Sequence, residues 1–79
     1  MKTVIFDYSK LDGRITEKFK TRTAFAKAIG RSNSYMVKFF HNETHLEQWE
    51  IIKWAEALEI STEDIESYFF MPKVFTNEK

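Results

Sequence analysis

The sequence predicts an all-α fold, a compact five-helix domain, and three observations carry that prediction. Apolar residues recur at helical spacing along most of the 79 residues. Two Gly and one Pro are too few for a turn-rich all-β chain. Residues that start and stop helices stand where the apolar periodicity begins and ends. The length suits one domain, residues 1–79. A hydrophobic content of 43% with 8 Phe, 3 Tyr and 2 Trp supplies a core that a disordered tail lacks.

Each helix has its own local signal. Leu11, Ile15 and Phe19 recur every fourth residue after Asp7, a plausible N-cap, with Gly13 as a local cost of about 1 kcal/mol relative to Ala. Thr21 or Thr23 caps a second helix whose Phe25, Ala26 and Ile29 face inward, and Gly30 ends it. Ser32 caps a third helix with Met36, Phe39 and Phe40 on its apolar side. Thr44 with Glu47 reads as a capping box, or Glu47 itself stands at the start; this fourth helix buries some of Ile51, Ile52, Ala55 and Leu58. Ser61 with Asp64 opens a short fifth helix carrying Ile65 and Phe69. Pro72 stops it, and 72–79 is expected to be a flexible tail.

Composition narrows the function classes. With no cysteine there is no disulfide, thiol nucleophile or Cys-type zinc site. The longest apolar run near the start, Val4-Ile5-Phe6, is too short for a signal-peptide core, so the expected location is the cytoplasm, with no membrane partner. No base is placed beside a nucleophile, and the chain leaves little room for a water-excluding cleft, so no enzyme activity and no cofactor are expected. His41 and His45 stand four apart near Glu43 and Glu47, but Asn42 and Thr44 suggest a helix end between them, and no metal site is expected.

The informative stretch is 22–41. Two helices joined at Gly30-Arg31-Ser32 have too tight a turn to pack antiparallel. Small Ala26 admits the third helix, Gly30 permits the sharp turn, and Met36 and Phe39 close the angle. Those are the requirements of a helix-turn-helix, whose second helix projects into the major groove of DNA. The buried side of the third helix leaves Ser32, Asn33, Ser34, Val37 and Lys38 outward. Asn33 can pair bidentately with adenine, Ser34 can meet either edge, and Val37 can touch a thymine methyl. Lys38 suits a phosphate, as do Arg22 and neighbouring Thr23 at a helix start, and Arg31 can reach one from the turn.

The whole chain resembles a family of small phage-encoded regulators of the Cro/repressor-type helix-turn-helix class, known mainly as a domain of unknown function. The likeness rests on 6–11 (FDYSKL) with Gly13-Arg14-Ile15, on 24–30 (AFAKAIG) with Ser32 and Ser34, and on Tyr68-Phe69-Phe70 with Pro72-Lys73-Val74. The resemblance implies a Cro/repressor-like domain that regulates transcription in a phage or prophage inside a bacterial host. It would bind double-stranded operator DNA, generally as a homodimer. The chain departs from the pattern at Arg31, Tyr35, Val37, Trp49 and Asn42, where relatives carry other residue types, and Asn42 keeps the tolerance for a left-handed turn.

These departures make the outward surface more apolar and open a second reading. In it the chain is an antirepressor-type interaction module that binds a phage repressor and blocks its DNA contacts. Tyr35, Trp49, Tyr68, Phe70, Met71 and Phe75 are the candidate partner or dimer surface, since aromatics and Met are enriched in interface centres. The charges fit either reading. The formal net charge is zero, but residues 1–45 carry 9 basic and 4 acidic side chains, and residues 46–79 carry 3 and 8. The molecule is electrostatically two-faced.

Overall fold

A computed structural model describes residues 5–72. Five helices follow one another: α1 (Ser9–Phe19), α2 (Arg22–Ile29), α3 (Asn33–Phe40), α4 (Gln48–Ala57) and α5 (Ile65–Phe69). One 3₁₀ turn, Thr62–Asp64, leads into α5. The architecture is all-α, as the periodicity predicts. Val4 and residues 73–79, including Lys73, Val74 and Phe75, lie outside the described residues.

Local chemistry accounts for the boundaries. The Asp7 carboxylate accepts from the backbone and hydroxyl of Ser9 at 2.9 and 2.6 Å, yet the residue flanking α1 is Tyr8, one position later than the expected cap. Gly13 does not interrupt this helix. Thr21 rather than Thr23 caps α2, accepting from the Ala24 N–H at 3.0 Å. Gly30 ends α2 in the left-handed region (φ 78°), and the Arg31 N–H returns to the Ala26 carbonyl at 2.8 Å. Ser32 then caps α3 through the Tyr35 N–H at 3.1 Å. Glu47, not Thr44, is the residue at the start of α4.

The core is aromatic at its centre. Trp54 of α4 lies edge-on to Phe25 of α2 and Phe39 of α3, with ring centroids 5.0 and 4.9 Å away, and tilts against Phe69 of α5 at 6.4 Å. Tyr8 stacks on Phe39 at 4.3 Å, and burial raises its hydroxyl pKa. Leu11, Ile15, Met36, Ala55, Leu58 and Ile60 fill the remainder. Of the four residues some of which are expected on the buried side of α4, Ala55 and Leu58 are buried, Ile51 is half-buried and Ile52 is exposed. Its place is taken by Trp54 and by the carboxylate-bearing Glu50.

Long side chains tie the ends of helices to distant elements. The Arg14 fork of α1 donates to the carbonyls of Leu58 and Glu59, both at 2.8 Å, capping the end of α4. Lys18 pairs with the Glu59 carboxylate at 3.0 Å, and this hydrogen bond holds that carboxyl below its ordinary pKa. Lys53 of α4 donates to the Ile29 carbonyl at 3.2 Å, where the α2 dipole favours a cation.

Asn42 carries the farthest-reaching of these ties. It stands at φ 61°, and its side-chain amide pairs with the Phe6 backbone in both directions: the Phe6 N–H donates to Oδ1 at 2.9 Å, and Nδ2 donates to the Phe6 carbonyl at 3.1 Å. Asparagine does here what a neighbouring strand would do. The next segment is pinned in turn, since the Asp7 N–H donates to the Met71 carbonyl at 2.8 Å and Phe6 bridges antiparallel to Pro72. Pro72, expected to begin a flexible tail, is thus held against the start of the described chain.

Replacing Asn42 by Gly keeps the left-handed backbone but removes two hydrogen bonds. Urea unfolding is expected to register a loss of about 1–3 kcal/mol, with faster amide exchange at Phe6 and Asp7. Gly13 is exposed within α1, and a Cβ there meets open space. Gly13→Ala is therefore expected to add about 0.5–1 kcal/mol in the same measurement.

Candidate functional site

Two surfaces gather the residues singled out from the sequence. The first is the outer side of α2–α3. Thr23, Asn33, Ser34, Val37 and Lys38 are exposed, as helical periodicity requires once Met36 and Phe39 are buried. Ser32 lies beside them with its hydroxyl committed to the α3 cap. Two residues expected to offer charge to a phosphate are already engaged. The Arg22 Nε donates to Asp12 at 2.9 Å, and its guanidinium lies 3.9 Å from the centroid of the Phe40 ring. A polar recess of about 240 Å³, lined by Asp7, Ser9, His41 and Asn42 among others, opens beside that pair.

Arg31 is engaged more fully. Its Nε donates to Glu50 Oε2 at 2.9 Å, and its Nη2 closes on the same oxygen. The guanidinium also covers the Tyr35 ring, 4.3 Å from its centroid. Glu50 in turn accepts from the Glu47 N–H at 3.5 Å with its other oxygen, at the start of α4. The Glu50 side chain is only 4% exposed, so the pair joins the α2–α3 turn to a carboxylate inside the protein. Glu50 raises the Arg31 pKa further, and burial followed by the Glu50 charge raises that of the Tyr35 hydroxyl. The arrangement ties the turn to α4 and leaves Lys38 as a cation of α3 with no partner among the described residues.

The second surface lies on α4 and α5. Trp49 is 60% exposed, Ile52 44%, Phe70 44% and Met71 45%. An apolar groove of about 340 Å³ runs between the two helices, lined by Gln48, Ile51, Ile52, Ile65 and Phe70. Three of the residues expected at a partner surface, Trp49, Phe70 and Met71, therefore lie on this side and are exposed. Tyr35 and Tyr68 are half-buried, Tyr35 beneath Arg31 and Tyr68 with the Lys10 ammonium 4.5 Å from its ring centroid. Phe75 lies outside the described residues.

Ile51, Ile52 and Ile65 belong to this surface, although the first two are among the four residues of which the sequence expects some on the buried side of α4, and the third is expected on α5. The available signal was the excess of apolar positions on α4, more than one face of a ten-residue helix can bury. Among the described residues no three His, Asp or Glu side chains converge as metal ligands, and no helix is long and apolar enough to cross a membrane.

A family model described as "Protein of unknown function (DUF739)" matches residues 4–72. The solution structure of the modulator of repression (MOR) of the temperate bacteriophage TP901-1 from Lactococcus lactis is similar, with a TM-score of 0.69 and 41% sequence identity. The match covers 82% of this chain and 88% of that one. No curated protein matches the chain.

The ion pair between the turn and α4 makes an asymmetric prediction. Arg31→Ala strands the buried Glu50 carboxylate and is expected to be the more destabilising of the two single changes. Glu50→Gln leaves Arg31, whose side chain is 36% exposed, free to turn to water, and a smaller loss is expected. Equal losses in paired urea titrations would contradict this account of the turn.

Proposed function

This chain belongs to the DUF739 family of proteins of unknown function, and from that premise we propose that it modulates phage repression by binding the repressor protein and blocking its contacts with DNA. The observation that carries the reading is the likeness, at 41% identity over most of both chains, to a protein named a modulator of repression. The surface chemistry supports it. Two of the arginines best placed for phosphates are engaged within the molecule, by Asp12 and by Glu50. Large apolar side chains meanwhile stand in solvent on α4 and beyond α5. In this reading the protein acts by association, without catalysis or a cofactor.

A second reading keeps α3 as a reader of operator DNA, in a Cro-like homodimer. It is favoured by the five exposed residues Thr23, Asn33, Ser34, Val37 and Lys38 around a tight turn closed at Gly30. The two readings differ in what salt does. DNA binding through phosphates weakens steeply with added salt because counterions are released, whereas a protein complex built on apolar contacts persists.

The deciding measurement is a mobility-shift titration with operator DNA and its phage repressor, with and without this chain. Release of the repressor from DNA, together with a repressor complex that survives nuclease and moderate salt, is expected. If the chain itself shifts the operator and forms no complex with the repressor, the second reading replaces the first. In that case Asn33→Ala is expected to cost about 1–3 kcal/mol at one base pair.

A further inference from the structure

The groove between α4 and α5 has a charged bank. Phe70 lines the groove and also lines a second depression, whose other walls are Glu63, Asp64, Glu66, Ser67, Met71 and Pro72. The apolar trough therefore continues across one phenyl ring into an acidic hollow. From Ser61 to Pro72 there are three acidic side chains, and the one cation among the described residues that reaches this segment, Lys10 of α1, donates to the Ser67 hydroxyl at 3.2 Å. Asp64 accepts from the Ser61 hydroxyl at 3.1 Å, but Glu63 and Glu66 have no partner among the described residues. On α4, Trp49 precedes Ile52 by three residues, so the two share a side of the helix.

Resting on the repressor-binding reading above, we propose that this composite surface is where the repressor docks, and that it takes a basic amphipathic helix from the repressor's DNA-binding domain. The apolar side of such a helix fits the trough lined by Ile51, Ile52, Ile65 and Phe70, in the helix-in-groove manner. Its Lys and Arg residues, which otherwise face phosphates, meet Glu63 and Glu66 instead. Charge complementarity selects the partner and speeds the encounter, while the apolar floor supplies the affinity. A second copy of this chain suits the groove less well. Apart from Lys53 of α4, which is committed to the Ile29 carbonyl, its basic residues lie on other elements, so the contact would be head-to-tail, and such contacts do not close at a dimer unless the rotation permits.

The test uses the full chain, isotope-labelled, titrated with the purified DNA-binding domain of the repressor and followed by NMR. Shifts are expected at the Trp49 indole N–H and at Ile52, Ile65 and Phe70. Because Trp49 and Ile52 stand in solvent, Trp49→Ala and Ile52→Glu keep the fold, and each is expected to weaken binding about tenfold or more. The Glu63→Lys/Glu66→Lys variant is expected to weaken it several-fold at low salt, with the difference shrinking as salt is added. Asn33→Ala and Lys38→Ala are expected to leave affinity unchanged.

Shifts and losses confined to α3, with the α4–α5 variants binding normally, would overturn this docking site while the repressor-binding function stands. So would Trp49-dependent self-association in sedimentation that the repressor domain does not displace. If the unmodified chain binds no repressor at all, the proposed function itself fails.

Discussion

The structure depends on one indole. Trp54 is where α4 meets α2, α3 and α5 at once, through Phe25, Phe39 and Phe69. From it, ring contacts extend through Phe39 and Tyr8 to Phe6 and Phe70, and through Phe25 to Phe19. A domain of this length buries a smaller share of its surface than a larger one. Each aromatic side chain buries about 150–250 Å², so few residues make the core. A buried Phe or Trp is worth about 3–5 kcal/mol against alanine. Since a whole domain is stable by only about 5–15 kcal/mol, the packing around Trp54 leaves little to spare.

Around that centre, polar side chains do the work of backbone. Arg14 closes the last turn of α4, Lys53 meets a terminal carbonyl of α2, and Asn42 stands in for a strand beside Phe6. The Arg31–Glu50 pair does the same at the turn between α2 and α3, joining it to the start of α4. These groups link elements that are distant in sequence. They also decide which charges remain for an outside partner, because a guanidinium closed on a carboxylate offers little to a phosphate.

What could be read from the sequence was local. Five helices, the caps at Thr21 and Ser32, the left-handed stop at Gly30 and the outward side of α3 all follow from residues within one turn of each other. What could not be read depends on distant partners. Hydropathy alone puts Glu50 outside and cannot choose among Ile51, Ile52, Ala55 and Leu58; the structure buries Glu50, because Arg31, 19 residues away, pairs with it, and leaves Ile52 in solvent. Asp7 suggested itself as a cap from its type, but Tyr8, stacked on Phe39, takes the flanking position. The role of Asn42 beyond its left-handed backbone rests on a contact 36 residues distant. The candidate surfaces divide in the same way: the α3 side was legible by periodicity, and the α4–α5 groove appears only once the fold brings Ile65 and Phe70 beside Ile51 and Ile52.

The floor of that groove serves two purposes. Ile51 and Ile65 face the groove and are also packed against the core cluster, whereas Asn33, Ser34, Val37 and Lys38 project from α3 into solvent. Mutational drift therefore meets unequal resistance on the two sides of the molecule. The α3 side can be rewritten residue by residue with the fold indifferent to the outcome. At the groove, a change at Ile51 or Ile65 alters the interior as well as the surface, whereas a change at Trp49, Ile52, Glu63 or Glu66 alters the surface alone.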